Sequence, residues 1–515
     1  MRSAVIDRGR RRPSARGRFP AALLCLFLCS ARVSAQAIEC DFVPELLQVR
    51  LVNGASVDSI NLAYGTITED SLPPQYLLRV PQGSTVEQIL ELLKLEPLVV
   101  DAEPAYTNET PEGTRQMVVA AVGGTIEDFQ DQDFVNRIHL PEIQQHTLGE
   151  GILVAVLDTG ILLEHEAISA HVSSDGFDFI GEDADPSEEA NGVDDDGDGQ
   201  TDEGAGHGTM VGGICLLVAP GCEILPVRIL DDEGRGTTFN VAKAIRYAVD
   251  QGADAINLSL GLSCVSKIIG YEIERADSAG VSLTAAAGND NAEFPALYPA
   301  SDPRVLSITS LDSADVKADF ANYDESVDLS APGVGVLGPY IDGEYALGAG
   351  TSFSSPMVAG QVALIRALDP SLTKTEIDSL SRLGTVDIYD ILENLPYLGK
   401  LGTGRLDGLE TLENTPASAY VAEPAPALAR RVYPNPATAG SFVTMEFSPR
   451  ESAAGGSLEI YDVRGRRVRS LDAPSTSPFL IWDGRDGAGR ASPGGVYFAK
   501  PSWRPLGKSF LIVLY

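Results

Sequence analysis

Between residues 134 and 413, apolar segments of strand length alternate with segments of helical periodicity, and this alternation constrains the fold more than any other feature. Two segments, 238–252 and 268–280, place apolar residues on one helical face. Four near-continuous apolar runs are typical of strands buried on both faces: "GILVAVLDTG" (151–160), "CEILPVRIL" (222–230), "DAINLSLG" (254–261) and "VSLTAAAGN" (281–289). The rhythm predicts an α/β fold, a parallel sheet flanked by helices, with functional residues at the carboxyl ends of the strands.

The preceding residues, 36–106, predict a small α/β unit. Strand patterns over 75–81 and 98–106 flank an amphipathic helix over 85–95. Residues 107–133 are polar and show little periodicity, so we expect a linker there.

The first 35 residues predict a signal peptide. Residues 1–18 contain seven Arg and one Asp, an apolar run follows, and Val33-Ser34-Ala35 offers a small-residue cleavage site. No later stretch approaches the about 20 apolar residues of a membrane-spanning helix. We therefore expect a secreted or cell-surface protein; a retained N-terminal anchor is the alternative.

Charge narrows the possible partners. The formal net charge is −35, and the negative charge is concentrated in residues 36–413. A surface this acidic repels nucleic-acid phosphates, so we expect no nucleic-acid partner.

Four of the six cysteines lie beyond the signal peptide, and export permits disulfides. Cys215 and Cys222, which bracket "LLVAPG", are the predicted pair. The pattern does not assign a partner to Cys40 or Cys264.

Three local patterns carry candidate catalytic groups. Asp158 ends an apolar strand, and His207 lies between glycines at a predicted helix start. "GTSFSSP" (350–356) offers Ser352, Ser354 and Ser355 before an apolar run. Taken singly, each has an ordinary structural explanation: a turn Asp, a capping His and a polar helix cap.

Together these patterns resemble a known family. "VAVLDTG", "GHGTMVGG" and "GTSFSSPMVAG" resemble the three active-site motifs of subtilisin-like serine proteases, in the same Asp-His-Ser order, and the resemblance extends over residues 134–413. It implies Ser352 as nucleophile, His207 as general base and Asp158 as its orienting carboxylate. Ser354 and Ser355 are then helix-start residues.

Two further segments resemble the family's substrate-binding parts. "AAAGND" resembles the oxyanion-hole segment, which implies a role for the Asn289 amide. "INLSLG" resembles the substrate-binding strand, which implies that Ser259, Leu260 and Gly261 pair with a peptide backbone. The resemblance also implies that Leu297 lies near the floor of the primary specificity pocket.

The sequence departs from the family pattern at two positions. Met210 stands where the family often has a second His, and Phe353 stands where it often has Met after the nucleophile. Neither change removes a catalytic group.

The segment 75–106 resembles the family's inhibitory propeptide, ending in "DAEPAY". The resemblance implies that residues 36–106 form a ferredoxin-like α/β unit, which assists folding and blocks the cleft until the chain is cut between Tyr106 and Phe134. A permanent accessory domain is the alternative.

An acidic loop is the candidate metal site. Eleven acidic residues lie within 182–203, with no Lys or Arg between Ser173 and Pro226. The spacing matches the first positions of a calcium loop but is incomplete, because Ala205 stands where the last carboxylate belongs. A solvated loop without metal is the alternative, and the predicted calcium ligands are Asp194, Asp196, Asp198 and Asp202.

The C-terminal region changes character. A Pro/Ala-rich linker over 414–429 precedes an all-β pattern over 430–515 that predicts a β-sandwich. This region resembles the immunoglobulin-like C-terminal domains of exported bacterial proteins related to sorting domains, and the resemblance implies contact with a cell surface or secretion machinery. A plain spacer is the alternative.

The sequence therefore predicts a secreted serine endopeptidase, made as a zymogen, that cleaves protein or peptide substrates through an acyl-enzyme. The alternative from another class is a calcium-dependent surface or adhesion protein with an inactive protease fold. An esterase using the same triad is less favoured, because "NLSLG" points to extended peptides.

Overall fold

The computed structural model describes residues 40–111, 118–121, 123–188, 190–194, 199–293, 296–415, 431–433, 443–446, 456–462, 464, 466–473, 479–501 and 510–514. The predicted signal peptide, most of the linker over 414–429, and two predicted calcium ligands, Asp196 and Asp198, lie outside these residues. Within them, no helix combines the length and apolarity needed to cross a membrane.

The N-terminal sheet is antiparallel, with strand order β2-β3-β1-β4. Its elements are β1 (Phe42–Leu51), α1 (Val57–Tyr64), β2 (Ile67–Leu72), β3 (Gln75–Arg79), α2 (Val86–Leu93) and β4 (Val99–Glu109). The helix α2 begins where predicted because Thr85 and Gln88 form a capping box. The strand β4 continues to Glu109, three residues beyond the predicted end at Tyr106.

The segment predicted as a linker, 107–133, contains regular structure. After β4 come β5 (Val118–Ala121), α3 (Ile126–Gln130), α4 (Asp133–Arg137) and α5 (Leu140–Gln144). These elements have four or five residues each, too few to show periodicity in the sequence.

The central sheet has nine strands in the order β16-β17-β13-β12-β11-β10-β6-β8-β7. Neighbouring strands within this sheet run parallel, except that β16 and β17 are antiparallel to each other, so the predicted α/β fold is confirmed. The elements of this region are β6 (Leu153–Asp158), β7 (Phe177–Asp178), α6 (His207–Val218), β8 (Glu223–Arg228), β9 (Arg235–Thr237), α7 (Thr238–Asp250), β10 (Ala255–Leu258), α8 (Lys267–Ala279), β11 (Ser282–Ala286), β12 (Leu306–Leu311), β13 (Leu329–Pro332), β14 (Val334–Pro339), β15 (Tyr345–Ala349), α9 (Thr351–Leu368), α10 (Lys374–Leu383), β16 (Thr385–Val386), β17 (Arg405–Leu406) and α11 (Gly408–Asn414), with 3₁₀ turns at Ser169–His171, Ile341–Gly343 and Leu392–Tyr397.

Helices cover both faces of this sheet. On one face α6 and α9 pack together in the larger apolar core, and α9 is buried from Thr351 to Ile365. On the other face α7 and α8 pack over β10 and β11. A smaller antiparallel sheet joins β14, β15 and β5.

The disulfide pairing differs from the prediction. Cys40 and Cys264 form a disulfide, with Cα atoms 6.0 Å apart, whereas Cys215 and Cys222 are buried free thiols. The predicted Cys215–Cys222 pair is therefore wrong; it rested on closeness along the chain, whereas folding brings the start of the N-terminal sheet beside the residues before α8. A hydrogen bond with Cys222, together with burial, raises the pKa of Cys215 well above its ordinary value, which disfavours the thiolate form.

The described part of 430–515 is all-β. The strands β18 (Arg431–Tyr433), β19 (Val443–Glu446), β20 (Gly456–Asp462), β21 (Arg467–Ala473), β22 (Phe479–Trp482), β23 (Gly495–Pro501) and β24 (Phe510–Leu514) form two antiparallel sheets, β18-β19-β22 and β21-β20-β23-β24. Trp482 is buried edge-on against Tyr497, with ring centroids 5.2 Å apart. The sandwich itself stays a prediction.

Candidate active site

The predicted site residues lie at one edge of the central sheet. The strands β6, β10 and β11 are adjacent and parallel, so their carboxyl ends coincide. Asp158 is the last residue of β6, Ser259 follows β10 directly, and Asn289 comes three residues after β11. This edge is where α/β sheets carry their functional groups.

Asp158 and His207 are joined by a short buried hydrogen bond. The Nδ1 atom of His207 lies 2.6 Å from Oδ1 of Asp158, and the two residues are 3% and 1% exposed. The backbone N–H of Thr159 also donates to this oxygen, at 2.8 Å. A carboxylate fixed in this way orients the imidazole ring and stabilises its protonated form.

The glycines around His207 permit this approach. A Cβ atom on Gly208 would lie 2.1 Å from the Gly160 carbonyl oxygen, so only glycine lets α6 begin against the turn that follows β6. Gly206 has φ 89° and lies against the Tyr340 ring. The "GHG" pattern therefore reflects close packing around the imidazole.

Ser352 lies in the first turn of α9 and is fully buried. Its hydroxyl is 3.4 Å from the Ser259 carbonyl oxygen, and the Ser259 hydroxyl donates to the Ser352 carbonyl at 2.8 Å. The next residue, Phe353, packs against His207 with ring centroids 5.7 Å apart. These contacts bring the start of α9 to both the histidine and the predicted substrate-binding segment.

The neighbouring serines have structural partners. The Ser354 hydroxyl is hydrogen-bonded to the carbonyls of Ala331 and Pro332, at 3.1 and 3.0 Å. The Ser355 hydroxyl donates to Oδ1 of Asn257 at 2.7 Å. Both hydroxyls point into the interior, which leaves Ser352 as the candidate nucleophile of the three.

Asn289 is held by the residue that precedes Ser352. Its Oδ1 atom accepts hydrogen bonds from the backbone N–H and the hydroxyl of Thr351, at 3.0 and 2.9 Å. These two hydrogen bonds hold the Asn289 side chain at the N-terminal end of α9, where the helix dipole is positive.

Beside the site, the end of β4 runs between β9 on one side and Gly261 on the other. The space between β9 and Gly261 forms a cleft. Residues 107–109 pair antiparallel with β9, and Glu109 exchanges two hydrogen bonds with Gly261, at 3.1 and 3.4 Å. The Thr110 N–H donates to the Gly234 carbonyl at 3.1 Å. The sequence indicated the Gly261 side of this cleft but missed β9, which has three residues and no periodic pattern.

Leu297 lies between the two segments predicted to bind substrate. A Cβ atom on Gly261 or Gly288 would lie 2.7 or 2.9 Å from Cδ1 of Leu297. Leu260 is fully buried in the core. Both departures from the family motifs are buried behind the site: Met210 and Phe353 each lie against Gly348.

Sequence reasoning missed Glu188, a buried carboxyl group beside the catalytic motifs. It is 5% exposed and is hydrogen-bonded to the hydroxyls of Thr159 and Thr209. Thr159 directly follows Asp158, and Thr209 is the second residue after His207. Its surroundings in the sequence, "DADPSEEANG", are typical of a solvated loop, and no local pattern distinguishes it.

The candidate calcium loop is described in part. The Asp194 carboxylate accepts the Gly199 N–H at 3.0 Å, and Asp202 accepts the N–H groups of Asn191 and Gly192 at 3.0 and 2.9 Å. Among the described residues, no group of three or more His, Cys, Asp or Glu side chains is arranged to hold a metal ion.

Known proteins with similar sequences were identified by comparison. The model of the subtilase family matches residues 149–385. A thermophilic serine proteinase from Bacillus sp. (strain AK1) is 34% identical over 293 residues, which is 54% of this chain and 66% of the relative. Thermitase from Thermoactinomyces vulgaris is 32% identical over 265 residues, 48% of this chain and 89% of thermitase.

A solved structure shares the fold. Fervidolysin from Fervidobacterium pennivorans, described as a keratinolytic enzyme related to subtilisin, matches with a TM-score of 0.59 and 20% identity. The match covers 89% of this chain and 71% of fervidolysin. The near-complete alignment of thermitase, together with the family match over the residues that carry the site, identifies the group: the chain belongs to the subtilase family of subtilisin-like serine endopeptidases.

Proposed function

We propose that this protein is a secreted serine endopeptidase, made as a zymogen, that cleaves peptide bonds with Asp158, His207 and Ser352. The observation that carries the proposal is the buried 2.6 Å hydrogen bond between Asp158 and His207, at the edge of the sheet where α9 presents Ser352. The predicted signal peptide supports export.

His207 acts first as a base and then as an acid. It takes the proton of the Ser352 hydroxyl as Oγ attacks the peptide carbonyl carbon, and Asp158 stabilises the imidazolium formed. His207 then gives this proton to the amine as the C–N bond breaks, leaving an acyl-enzyme. Water, deprotonated by His207, hydrolyses the ester and regenerates Ser352.

The oxyanion of the tetrahedral intermediate is stabilised by the Asn289 side-chain amide and the Ser352 backbone N–H. The two hydrogen bonds from Thr351 to Asn289 Oδ1 support this role, because they hold the amide in one orientation. Loss of one such donor typically lowers turnover by about 10²- to 10³-fold.

Protein and peptide substrates bind as an added strand along Ser259, Leu260 and Gly261. The pairing of Glu109 with Gly261 supports this mode, because a peptide backbone already occupies that edge. Leu297, packed against Gly261 and Gly288, favours apolar over charged side chains in the primary pocket.

The N-terminal sheet acts as an intramolecular inhibitor. Residues 107–110 occupy the cleft between Gly234–Thr237 and Gly261 that a substrate would need. Cleavage of the chain between Tyr106 and Phe134 is the first step toward opening the cleft to other peptides; the N-terminal sheet must then also leave.

We also propose calcium binding by the loop over 191–204. Its support is the carboxylate spacing of Asp194, Asp196, Asp198 and Asp202, since hard oxygen ligands suit Ca²⁺. A chelator should lower the melting temperature and added Ca²⁺ should restore it. An unchanged melting temperature, with no metal in native mass spectra, would remove calcium from the proposal.

The C-terminal module over 430–515 would contact the cell surface or the secretion machinery. Its support is the resemblance in sequence and the all-β character of its described residues. Deleting it should leave peptide hydrolysis unchanged and alter the distribution of the protein between cells and medium.

A fluorophosphonate probe tests the catalytic proposal. The probe should label the wild type at Ser352, and the wild type should hydrolyse casein. The Ser352→Ala variant should lose both, whereas Ser354→Ala, the matched control, should retain the labelling site. An unlabelled wild type, or undiminished labelling of Ser352→Ala, would refute the assignment and leave the inactive-fold alternative.

A further inference from the structure

Glu188 links the two loops that carry Asp158 and His207. Its Oε1 atom is hydrogen-bonded to the Thr159 hydroxyl, and its Oε2 atom is hydrogen-bonded to the hydroxyl and, at 3.0 Å, to the backbone N–H of Thr209. Its own N–H donates to the Ile161 carbonyl at 3.2 Å. One side chain therefore connects the residue after Asp158 with the second residue after His207.

The Thr159 hydroxyl has one proton and two carboxyl neighbours. It accepts the Gly208 N–H at 2.9 Å, lies 3.3 Å from Oδ1 of Asp158, and is in hydrogen-bond contact with Glu188. If both carboxyl groups were ionised, the single Thr159 proton would serve only one of them.

A proton on Oε1 of Glu188 satisfies every contact. Glu188 then donates to Thr159, Thr159 donates to Asp158, and Oε2 of Glu188 accepts from Thr209. Burial raises the pKa of Glu188, and repulsion from Asp158 raises it further, although its hydrogen bonds oppose the shift. Within the part of the chain that the structure describes, two further titratable groups interact with this cluster: His207, which is bonded to Asp158, and Tyr340, whose pKa is raised in part by Glu188.

We propose that Glu188 is a positioning residue for Asp158 and His207 and that its carboxyl group is protonated in the working enzyme. It does not touch the reacting atoms. It acts through Thr159 and Thr209, holding the turn after β6 against the start of α6 so that the Asp158–His207 hydrogen bond keeps its geometry. The proposal rests on the serine-protease function given above.

Two substitutions of Glu188 distinguish an effect of its position from an effect of its charge. Glu188→Gln places an amide N–H where the protonated carboxyl donates and an amide oxygen where it accepts, so kcat and the acid limb of the kcat/KM profile should stay unchanged. Glu188→Ala removes both contacts and should lower kcat about 10- to 100-fold with KM little changed. Each kcat is expressed per site labelled by the fluorophosphonate, which removes the effect of misfolded protein.

Glu272→Ala is the matched control. Glu272 is also a buried carboxyl group, 1% exposed, but it lies on α8 and pairs with Arg246. Its loss should reduce the yield of labelled sites without changing kcat per site. If Glu188→Ala behaved like Glu272→Ala, the positioning role would be refuted. If Glu188→Gln shifted the acid limb to lower pH, the carboxyl would be ionised and the second half of the proposal would be wrong.

A second readout does not need turnover and distinguishes this proposal from the catalytic one. In the Ser352→Ala protein, the His207 Nδ1 proton bonded to Asp158 gives a low-field ¹H resonance. This resonance should persist when Glu188→Gln is added and should shift upfield or exchange away when Glu188→Ala is added. An unchanged resonance in the Glu188→Ala protein would refute the positioning role even if the enzyme were inactive for another reason.

Discussion

The interior of the catalytic region, residues 134–413, and its contact with the N-terminal sheet are stabilised by different chemistry. The two faces of helix α7 illustrate this difference. One face buries Val241, Ile245 and Ala248 in the core beneath the sheet, without exposed surface. The other turns Lys243 and Arg246 toward the N-terminal sheet, where Lys243 pairs with Asp70 and Arg246 donates to the Pro73 carbonyl at 2.8 Å.

Polar groups dominate the second contact. The Glu103 carboxylate, on β4, accepts the Ser266 hydroxyl at 2.6 Å and the Lys267 and Ile268 N–H groups at 2.9 and 3.3 Å, which caps the start of α8. The apolar part is a small cluster: Leu72 and Leu77 pack against Phe239, Ala242 and Ile268.

This difference indicates that the interior of the catalytic region lasts as long as the fold, whereas the contact with the N-terminal sheet is of a kind that can dissociate. A core of aliphatic side chains is lost only on unfolding, whereas a polar interface with a small apolar cluster resembles contacts that dissociate. One link between the N-terminal sheet and the catalytic region is covalent, because Cys40 and Cys264 form a disulfide. The following predictions test this contrast, from the largest expected effect to the smallest.

The disulfide should keep the N-terminal sheet attached after the chain is cut. A site for a sequence-specific protease, inserted after Arg115 in the Ser352→Ala protein, allows the cut without self-cleavage. The two fragments should migrate together on a denaturing gel and separate after dithiothreitol, which reduces the disulfide to two thiols as it forms its own cyclic disulfide. A tether gives an effective concentration of about millimolar, so its loss should release the N-terminal fragment at micromolar protein.

The Cys40→Ser/Cys264→Ser protein is the control and should separate without reductant. Separation of the fragments with both cysteines intact and no reductant would show that the disulfide does not form.

Truncation on the core face of α7 should destabilise the whole domain. Ile245→Ala removes a fully buried side chain and should lower the free energy of unfolding by about 2–5 kcal/mol. Lys243→Ala, two residues away on the other face, should leave unfolding nearly unchanged and, in the Cys40→Ser/Cys264→Ser protein, speed dissociation of the cut N-terminal sheet. Denaturant unfolding and size-exclusion chromatography measure the two effects; equal effects on unfolding would remove the contrast between the faces.

Loss of the Glu103 carboxylate should weaken the interface. In the protein without the Cys40–Cys264 disulfide, Glu103→Ala should raise the Kd of the cut N-terminal fragment about 10- to 100-fold, since hydrogen bonds to a charged group contribute about 1.5–3 kcal/mol.

Binding should also depend on pH through this residue. Burial raises the pKa of Glu103 in the complex, so its contribution is greatest below the ordinary pKa of Glu and declines as the pH rises through the raised value. Glu103→Gln should flatten this dependence in inhibition assays between acid and neutral pH. A wild-type Kd that falls as the pH rises would contradict the assignment.

The smallest effect concerns Asn108, which lies in the cleft. Its side chain is 1% exposed, and neither polar atom has a hydrogen-bond partner within the described part of the chain. Burying such a group costs about 1–3 kcal/mol, so Asn108→Leu, similar in shape, should tighten the cut fragment about tenfold. Weaker binding of this variant in the same inhibition assay would show that the amide is satisfied in solution.

Much of the catalytic region was predictable from the sequence. The strands around Asp158 and Ser259 are apolar runs that must be buried, and the helices between them carry a clear 3.6-residue period. A parallel sheet follows from this alternation of buried strands and helices, and in a parallel sheet the carboxyl ends of the strands lie at the same edge. The assignment of Ser352 among three serines needed the resemblance to a family; the structure adds that Ser354 and Ser355 have interior partners.

The sequence by itself determined which segments become buried strands and amphipathic helices, because burial and periodicity are local properties of the chain. Only the tertiary structure decided which distant residues meet. It paired Cys40 with Cys264 instead of the two cysteines close in sequence, placed β4 beside β9 and Gly261, and buried Glu188 from an acidic loop between Thr159 and Thr209. These contacts depend on how whole elements pack, and no local pattern of charge or hydrophobicity encodes them.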